Sequence, residues 1–376
     1  MKKILYLHQK DLRIHDNAAL AYATQHDFIP VYIFSEQHTC SSHQNTLITH
    51  AVHALKETYA ANDVELITQT GSVREIVTAL CEKHSITEIC TQERADNQKL
   101  LSLLRAIRPI QTFITHTLHE TYPPHKHPFS AWLQTIREKP LKPVPVPASF
   151  RQELESRSTM LQHTQKQQLQ YPEIYSEQEA LSHLRTYLET KKINGYKQTR
   201  NELEAAGSYL SIPLSQGLLS VRKIYADIRA YEQQNKPNEG TKHLLYELYW
   251  REYAHQTYTH RKEIHPNKPV RTIMPQLNHP LLCAIQQELE QTGYITNRAR
   301  QILANALAKK YAYEWDKIEH YFAQHLIDYD RAINAFNTAY QAGILDPRDR
   351  IFNLDKQQEQ YDPEHTYIHK WMMQKE

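Results

Sequence analysis

Glycine is scarce, with seven residues in 376. The chain has neither a G-x-G-x-x-G turn nor a P-loop, so a nucleotide bound here is not held by a glycine-rich turn. Cysteine is thin as well. Cys40, Cys81, Cys90 and Cys283 show no C-x-x-C and no zinc-finger spacing, which excludes a disulfide scaffold and fits a reducing interior. No apolar run reaches membrane-spanning length, and the opening Met1-Lys-Lys-Ile-Leu-Tyr-Leu-His8 lacks the apolar core of a signal peptide. A cytoplasmic, monomeric protein with no membrane attachment is expected. The formal net charge is only +2, so nothing global demands nucleic acid, while a local basic face remains open.

What the chain does contain is two kinds of periodicity. Residues 3–7 (KILYL), 29–34 (IPVYIF), 64–68 (VELIT), 86–91 (ITEICT) and 110–115 (IQTFIT) read as short buried strands with helical patterns between them. Ser72-Val-Arg-Glu75 has the form of a capping box, followed by Ile76, Val77, Leu80 and Cys81 at helical spacing. Strands alternating with helices predict an α/β N-terminal domain over 1–134 with a parallel five-stranded sheet covered on both faces. Residues 139–147 (KPLKPVPVP) carry four prolines and can continue neither a helix nor a central strand. We read 135–172 as the interdomain connection, with a short helix near 150–168. A second capping box, Ser176-Glu-Gln-Glu179, opens an all-α domain over 173–376.

The stretch from Asn297 to Tyr340 concentrates the polar groups. Asn297 stands in a helix-cap position ahead of Ile302, Leu303, Ala306 and Leu307, and Trp315, Ile318 and Phe322 form a second helical stripe. The pattern breaks at His325-Leu-Ile-Asp-Tyr-Asp330. Asp330 can cap a third helix, four residues before Asn334 on the same face. Arg300, Asp328, Asp330 and Asn334 thus converge in an apolar region. On spacing alone, a capped helix junction with one Arg–Asp bridge explains them slightly better than a binding site does.

Asn297-Arg-Ala-Arg300, then Tyr321-Phe-Ala-Gln-His-Leu-Ile-Asp-Tyr-Asp330, then Asn334, in that order, resemble the flavin-binding core of the photolyase/cryptochrome family. Asp346-Pro-Arg-Asp-Arg-Ile-Phe-Asn353 and Gln360-Tyr-Asp-Pro-Glu364 continue the match, and the wording is nearest the DASH-type branch. Lys10-Asp-Leu-Arg-Ile-His-Asp-Asn17 is similar to the signature of the family's antenna domain. Tyr196-Lys-Gln-Thr-Arg200 and Gly207-Ser-Tyr-Leu-Ser211 with Gly217 to Arg222 are similar to its phosphate-side blocks. Leu244-Leu-Tyr-Glu-Leu-Tyr-Trp-Arg-Glu-Tyr253 is similar to its lesion-facing helix. Taken alone, Ser208 and Ser211 are ordinary caps and Glu247–Arg251 an ordinary surface pair.

The resemblance implies FAD, held by Tyr196, Ser208, Leu210, Ser211, Glu247, Arg251, Asn297, Arg300, Asp328, Asp330 and Asn334. Asn334 would face flavin N5, Arg300 with Asp328 would offset anionic charge, and Asp330 would lie near the adenosine or the ring edge. Glu247 and Trp250 would meet a damaged pyrimidine pair, with Asn334 as third catalytic residue. Trp315 and Tyr340 would carry electrons. Glu93, in Gln92-Glu93-Arg94, would hold a second antenna chromophore, a folate or another. The implied activity is light-driven splitting of cyclobutane pyrimidine dimers in damaged DNA, single-stranded DNA included. The alternatives are a blue-light photoreceptor or redox flavoprotein that does not repair, and a degenerate chain that has lost FAD.

The chain also departs from the family. Thr338 stands where the flavin-proximal tryptophan of the electron chain is expected, Tyr209 replaces an arginine, and Leu7-His8 replaces a Trp-Phe pair. The stretches between Tyr253 and Asn297 and after Trp371 are short. Among the 23 histidines, His116, His119, His125 and His127 cluster. With no accompanying Cys or Asp framework they read as a solvated loop rather than a metal site.

Overall fold

The computed structural model describes residues 2–35, 41–119, 128–136, 142–150, 171–204, 207–267, 274–345 and 350–373. Lys3–Leu7 (β1), Asp27–Phe34 (β2), Ile67–Thr70 (β3), Glu88–Gln92 (β4) and Ile110–Phe113 (β5) form one parallel sheet in the order β3–β2–β1–β4–β5. Helices Ala18–Ala23 (α1), Ser42–Ala60 (α2), Val73–Lys83 (α3) and Gln98–Arg105 (α4) connect the strands. Alternation along β1 sorts its side chains to the two faces. Leu5 and Leu7 pack with Val77, Leu80 and Leu104 of α3 and α4. Ile4 and Tyr6 join a core that runs through Leu47 and Leu55 of α2 into the helical half, at Ile212 and Leu218.

Of the five expected strands only the first keeps its bounds: 29–34 becomes 27–34, 86–91 becomes 88–92 and 110–115 becomes 110–113. The third strand is 67–70 rather than 64–68, because the Val64 N–H bonds the Tyr59 carbonyl at 3.1 Å and closes the end of α2 before the ladder begins. Helix α3 starts where Ser72 predicts, but the Ser72 side chain makes no cap bond. Its ψ is 117°, against 158° and 162° at Ser41 and Ser176, whose side chains do accept.

The helical half continues with Phe129–Ile136 (α5), Glu177–Glu189 (α6), Tyr196–Thr199 (α7), Ser211–Ser215 (α8), Val221–Asn235 (α9) and Glu239–His260 (α10). It ends with Pro280–Thr292 (α11), Asn297–Lys309 (α12), Trp315–His325 (α13), Arg331–Gln341 (α14), Leu354–Tyr361 (α15) and Thr366–Met372 (α16). The expected helix near 150–168 and most of the 135–172 connection lie outside the described residues. Among the described residues no helix is long and apolar enough to cross a membrane.

The two halves meet at the topological switch of the sheet. The loops after β1 and β4, which diverge there, form the kind of crevice that binds ligands in open α/β sheets. Here they grip the helices instead. The buried Arg13 guanidinium donates to the carbonyls of His15 (3.0 Å), Asp16, Thr115 and Gly217 (2.9 Å each), tying sheet to helical half. Gly217 has φ +69°, and a Cβ there would lie 2.2 Å from the Lys10 carbonyl oxygen. Only glycine fits. Asp16 accepts from the Ser220 hydroxyl and from the Val144 N–H at 2.7 Å. Of the polar residues in the 10–17 signature, Arg13, His15 and Asp16 thus fasten the halves together, while Asp11 and Asn17 bond Tyr6 within the sheet domain.

Candidate functional site

Between α7, α8, α10, α12 and α14 lies a cavity of about 600 Å³. Its walls include Tyr196, Ser208, Leu210, Ser211, Glu247, Trp250, Arg251, Asn297, Arg300, Asp328, Asp330, Asn334 and Tyr340. The cofactor and lesion residues implied by the resemblance are therefore brought together around one space. Trp315 and Glu93 do not line it. Trp315 is half-buried against Ala335, Phe336 and Ala339 of α14, the cluster that Tyr340 also flanks. It is thus separate from Ile318 and Phe322, which pack in another core, so the single expected stripe is divided. Glu93 points elsewhere, accepting from the Thr112 hydroxyl at 2.6 Å.

Helix α12 starts one residue earlier than the cap reading. Thr296 is the N-cap and accepts from the Ala299 N–H at 3.4 Å, and Asn297 is the exposed first helical residue on the cavity wall. Arg300, one turn on, donates from Nη2 to both Asp328 oxygens, at 3.0 and 2.9 Å, and from Nε to the Ile295 carbonyl at 3.0 Å. The Asp328 side chain is 1% exposed and that of Arg300 25%. The pair is buried on its acidic side and open to the cavity on its basic side.

Asp330 caps α14, accepting from the Ala332 and Ile333 N–H groups. Its second oxygen lies 2.8 Å from Arg94 Nη2, and Arg94 Nε donates to Asp96 at 3.0 Å. Burial would raise the Asp330 pKa, but the Arg94, Lys10 and Arg251 cations overcome it and hold the group well below the usual carboxylate range. His255 stays neutral, its pKa driven by burial to about 3. Arg251 reaches the His116 carbonyl at 2.6 Å, and burial beside Arg94 lowers its pKa to about 10. A cation so situated favours an anionic neighbour in the cavity.

His116 and His119 do not form a solvated loop. The His116 ring meets His255 of α10 edge-on at 4.9 Å and His119 is buried, since Arg251 and Glu252 of α10 hold the 116–118 backbone. His125 and His127 lie outside the described residues. No group of His, Cys, Asp and Glu among the described residues is arranged to hold a metal.

Asn334 donates from Nδ2 to the Glu319 carbonyl (3.2 Å) and to Glu319 Oε1 (3.4 Å). No described residue engages its Oδ1. Glu319 is fully buried on α13 and burial raises its pKa. It also accepts from the Tyr329 hydroxyl. On α10, Glu247 and Trp250 share one wall. Glu247 pairs with Arg200 at 2.7 Å. One face of Trp250 stacks on Phe129 of α5, centroids 3.7 Å apart and planes at 10°, so the ring meets the cavity with its remaining surface.

The family models agree with this geometry. Residues 4–145 match the model described as DNA photolyase, and 278–375 match the FAD binding domain of DNA photolyase. The cryptochrome DASH of Idiomarina loihiensis is 30% identical, with 98% of this chain and 92% of that one covered. The chain belongs to the photolyase/cryptochrome family. A second cryptochrome DASH, from Synechocystis, is 27% identical over 98% of this chain and 87% of its own. The crystal structure of a Synechocystis cryptochrome superposes with a TM-score of 0.86 at 25% identity, covering 99% and 89% of the two chains. A class III photolyase from Agrobacterium tumefaciens gives 0.80 at 22% identity, covering 99% and 87%.

FAD is the cofactor of this photolyase/cryptochrome domain, and the residues present fit it. The volume is within the range of cofactor sites, Ser208 and Ser211 lie beside a helix start, and Arg251 and Arg300 supply positive charge. Sequence reasoning missed Arg94, Glu319 and Tyr329. Arg94 directly follows the residue singled out in the Glu-Arg stretch, and Glu319 is a charge on the buried face of α13, which was a readable anomaly.

Proposed function

We propose that the protein is a FAD-dependent photolyase that uses light to split cyclobutane pyrimidine dimers in DNA, single-stranded DNA included. The observation that carries this reading is that Glu247 and Trp250 line the same cavity as Asn334 and the Arg300–Asp328 pair. A flipped-out pyrimidine dimer lying on Trp250 is then next to the flavin. Bound FAD supplies a light-driven electron to the dimer and recovers it. Trp250, braced by Phe129, offers a stacking surface, Glu247 offers an acceptor to base N–H groups, and Asn334 and Arg300 fix the charge and orientation of the ring. Dimers cost less to unstack than intact steps, which biases entry toward damage.

Removing the Trp250 ring should cost ~1–3 kcal/mol of binding, a Kd increase of roughly 5- to 150-fold. The check is affinity of wild type and Trp250→Ala for damaged and undamaged single strands at one salt concentration, with FAD occupancy equal in both. Wild type with no preference for damage would oppose the repair reading. It would favour a photoreceptor or redox flavoprotein, which one observation supports: the Glu247 carboxylate already pairs with Arg200.

A second expectation concerns Thr338, buried at the cavity wall of α14. Its hydroxyl side chain has no accessible one-electron oxidation. Photoreduction of oxidised FAD should be slow, and Thr338→Trp should accelerate it by adding an oxidisable ring beside the Trp315 and Tyr340 cluster. Blue-light bleaching with excess thiol measures both. No acceleration would mean that Thr338 does not limit the electron supply.

A further inference from the structure

Tyr329 lines the FAD cavity and donates its hydroxyl hydrogen bond to Glu319 Oε1 at 2.5 Å. It sits between Asp328, the partner of Arg300, and Asp330, the cap of α14. The Glu319 side chain has no exposure to solvent. Asn334 donates to the same oxygen, and His320 Nε2 lies 3.9 Å from the other one. The Tyr329 ring is half-buried, with the Lys10 ammonium 5.9 Å from its centroid. A phenol is a poor one-electron donor unless its proton has somewhere to go, because the oxidised phenol is a strong acid. Here a buried carboxylate, whose affinity for protons burial increases, already holds the hydroxyl hydrogen.

We propose that Tyr329 is an electron donor to photo-excited oxidised FAD, with Glu319 as the base that takes its proton. The inference rests on FAD occupying this cavity. One electron passes from the phenol to the isoalloxazine, so Tyr329 is oxidised and the flavin reduced. The O–H bond of Tyr329 breaks and its proton forms a bond to Glu319 Oε1, leaving a neutral tyrosyl radical. An external thiolate returns the electron and becomes a thiyl radical, and the proton goes back from Glu319 to the phenol oxygen. No tryptophan lines the cavity among the described residues except Trp250, so Tyr329 supplies a route that position 338 does not.

The test uses FAD-loaded full-length protein with oxidised flavin, blue light and excess thiol. Time-resolved absorption and electron paramagnetic resonance read the radical, and flavin bleaching reads the yield. Wild type should give a neutral tyrosyl signal and bleach more slowly in D2O. Tyr329→Phe should lose the signal, and Glu319→Gln, which keeps an acceptor oxygen but is no base, should lose it too. The double variant Tyr329→Trp with Glu319→Gln should bleach again, because an oxidised tryptophan need not shed its proton at once. FAD occupancy, read by absorbance, separates loss of donor from loss of cofactor. A tyrosyl signal that persists in loaded Tyr329→Phe, or an unchanged yield in loaded Glu319→Gln, would overturn the assignment.

Discussion

Replacing Arg94 with alanine is expected to destabilise the protein more than any surface change, by ~3–5 kcal/mol, because it removes the cation bonded to both the buried Asp330 and the partly buried Asp96. The Arg94 side chain is 3% exposed and bridges Asp96 on the sheet side to Asp330 on the helical side. That bridge fastens the switch-point loop after β4 to the cap of α14, so the loss acts on both halves at once. Thermal unfolding at neutral pH should fall by on the order of 10 °C. The pH dependence is specific. In wild type the Asp330 and Asp96 pKa values lie below their unfolded values. Their contribution is therefore full above about pH 4 and lost only as pH falls through the lower folded values. Without Arg94, burial dominates and the same groups titrate higher. The gap between wild type and variant should be widest at neutral pH and narrow on acidification. A gap independent of pH would mean the two carboxylates are not what Arg94 stabilises.

Arg300→Ala should cost the protein both stability and FAD. Its carboxylate partner is almost fully buried, while Arg300 itself is a quarter exposed. The stability loss should therefore lie near the lower end of the range for a broken buried pair, about 3 kcal/mol. The charge facing the cavity disappears as well, so purified variant should carry clearly less than one FAD per chain. Arg300→Lys should fall between, since an ammonium keeps the charge but cannot bond Asp328 and the Ile295 carbonyl together as the guanidinium does through Nη2 and Nε. Absorbance ratios of flavin to protein, with melting curves, decide this. Unchanged occupancy in Arg300→Ala would remove Arg300 from the cofactor site.

How far the sequence carried depends on the range of each interaction. Strand β1 is read to the residue because KILYL is a short apolar run bounded by polar turns, a local property. The third strand is misread by three residues because Val64 and Leu66 are as apolar as strand residues, while the Val64 N–H closes the end of α2 and Leu66 is buried ahead of the ladder. Thr296 and Asn297 are both cap-forming types, and only the backbone angles decide between them. The cavity residues of α10, α12 and α14 were legible through ordered motifs, as was the Arg300–Asp328 pair. The Arg94–Asp330 bond spans 236 positions, and no periodicity reports it. The same holds for Phe129 stacking on Trp250, and for His116 and His119, whose polarity suggested solvent but whose loop is held by α10.

The most direct measurement is repair itself. Full-length protein with its FAD chemically reduced, so that photoreduction is bypassed, is mixed with single- and double-stranded oligonucleotides carrying one cyclobutane thymine dimer. Recovery of thymine absorbance is then followed under blue light and in the dark. The expected result is light-dependent loss of the dimer in wild type and a marked decrease in Trp250→Ala at equal FAD occupancy. Fully reduced, FAD-loaded protein that leaves the dimer intact on both substrates under illumination would contradict the assignment as a photolyase.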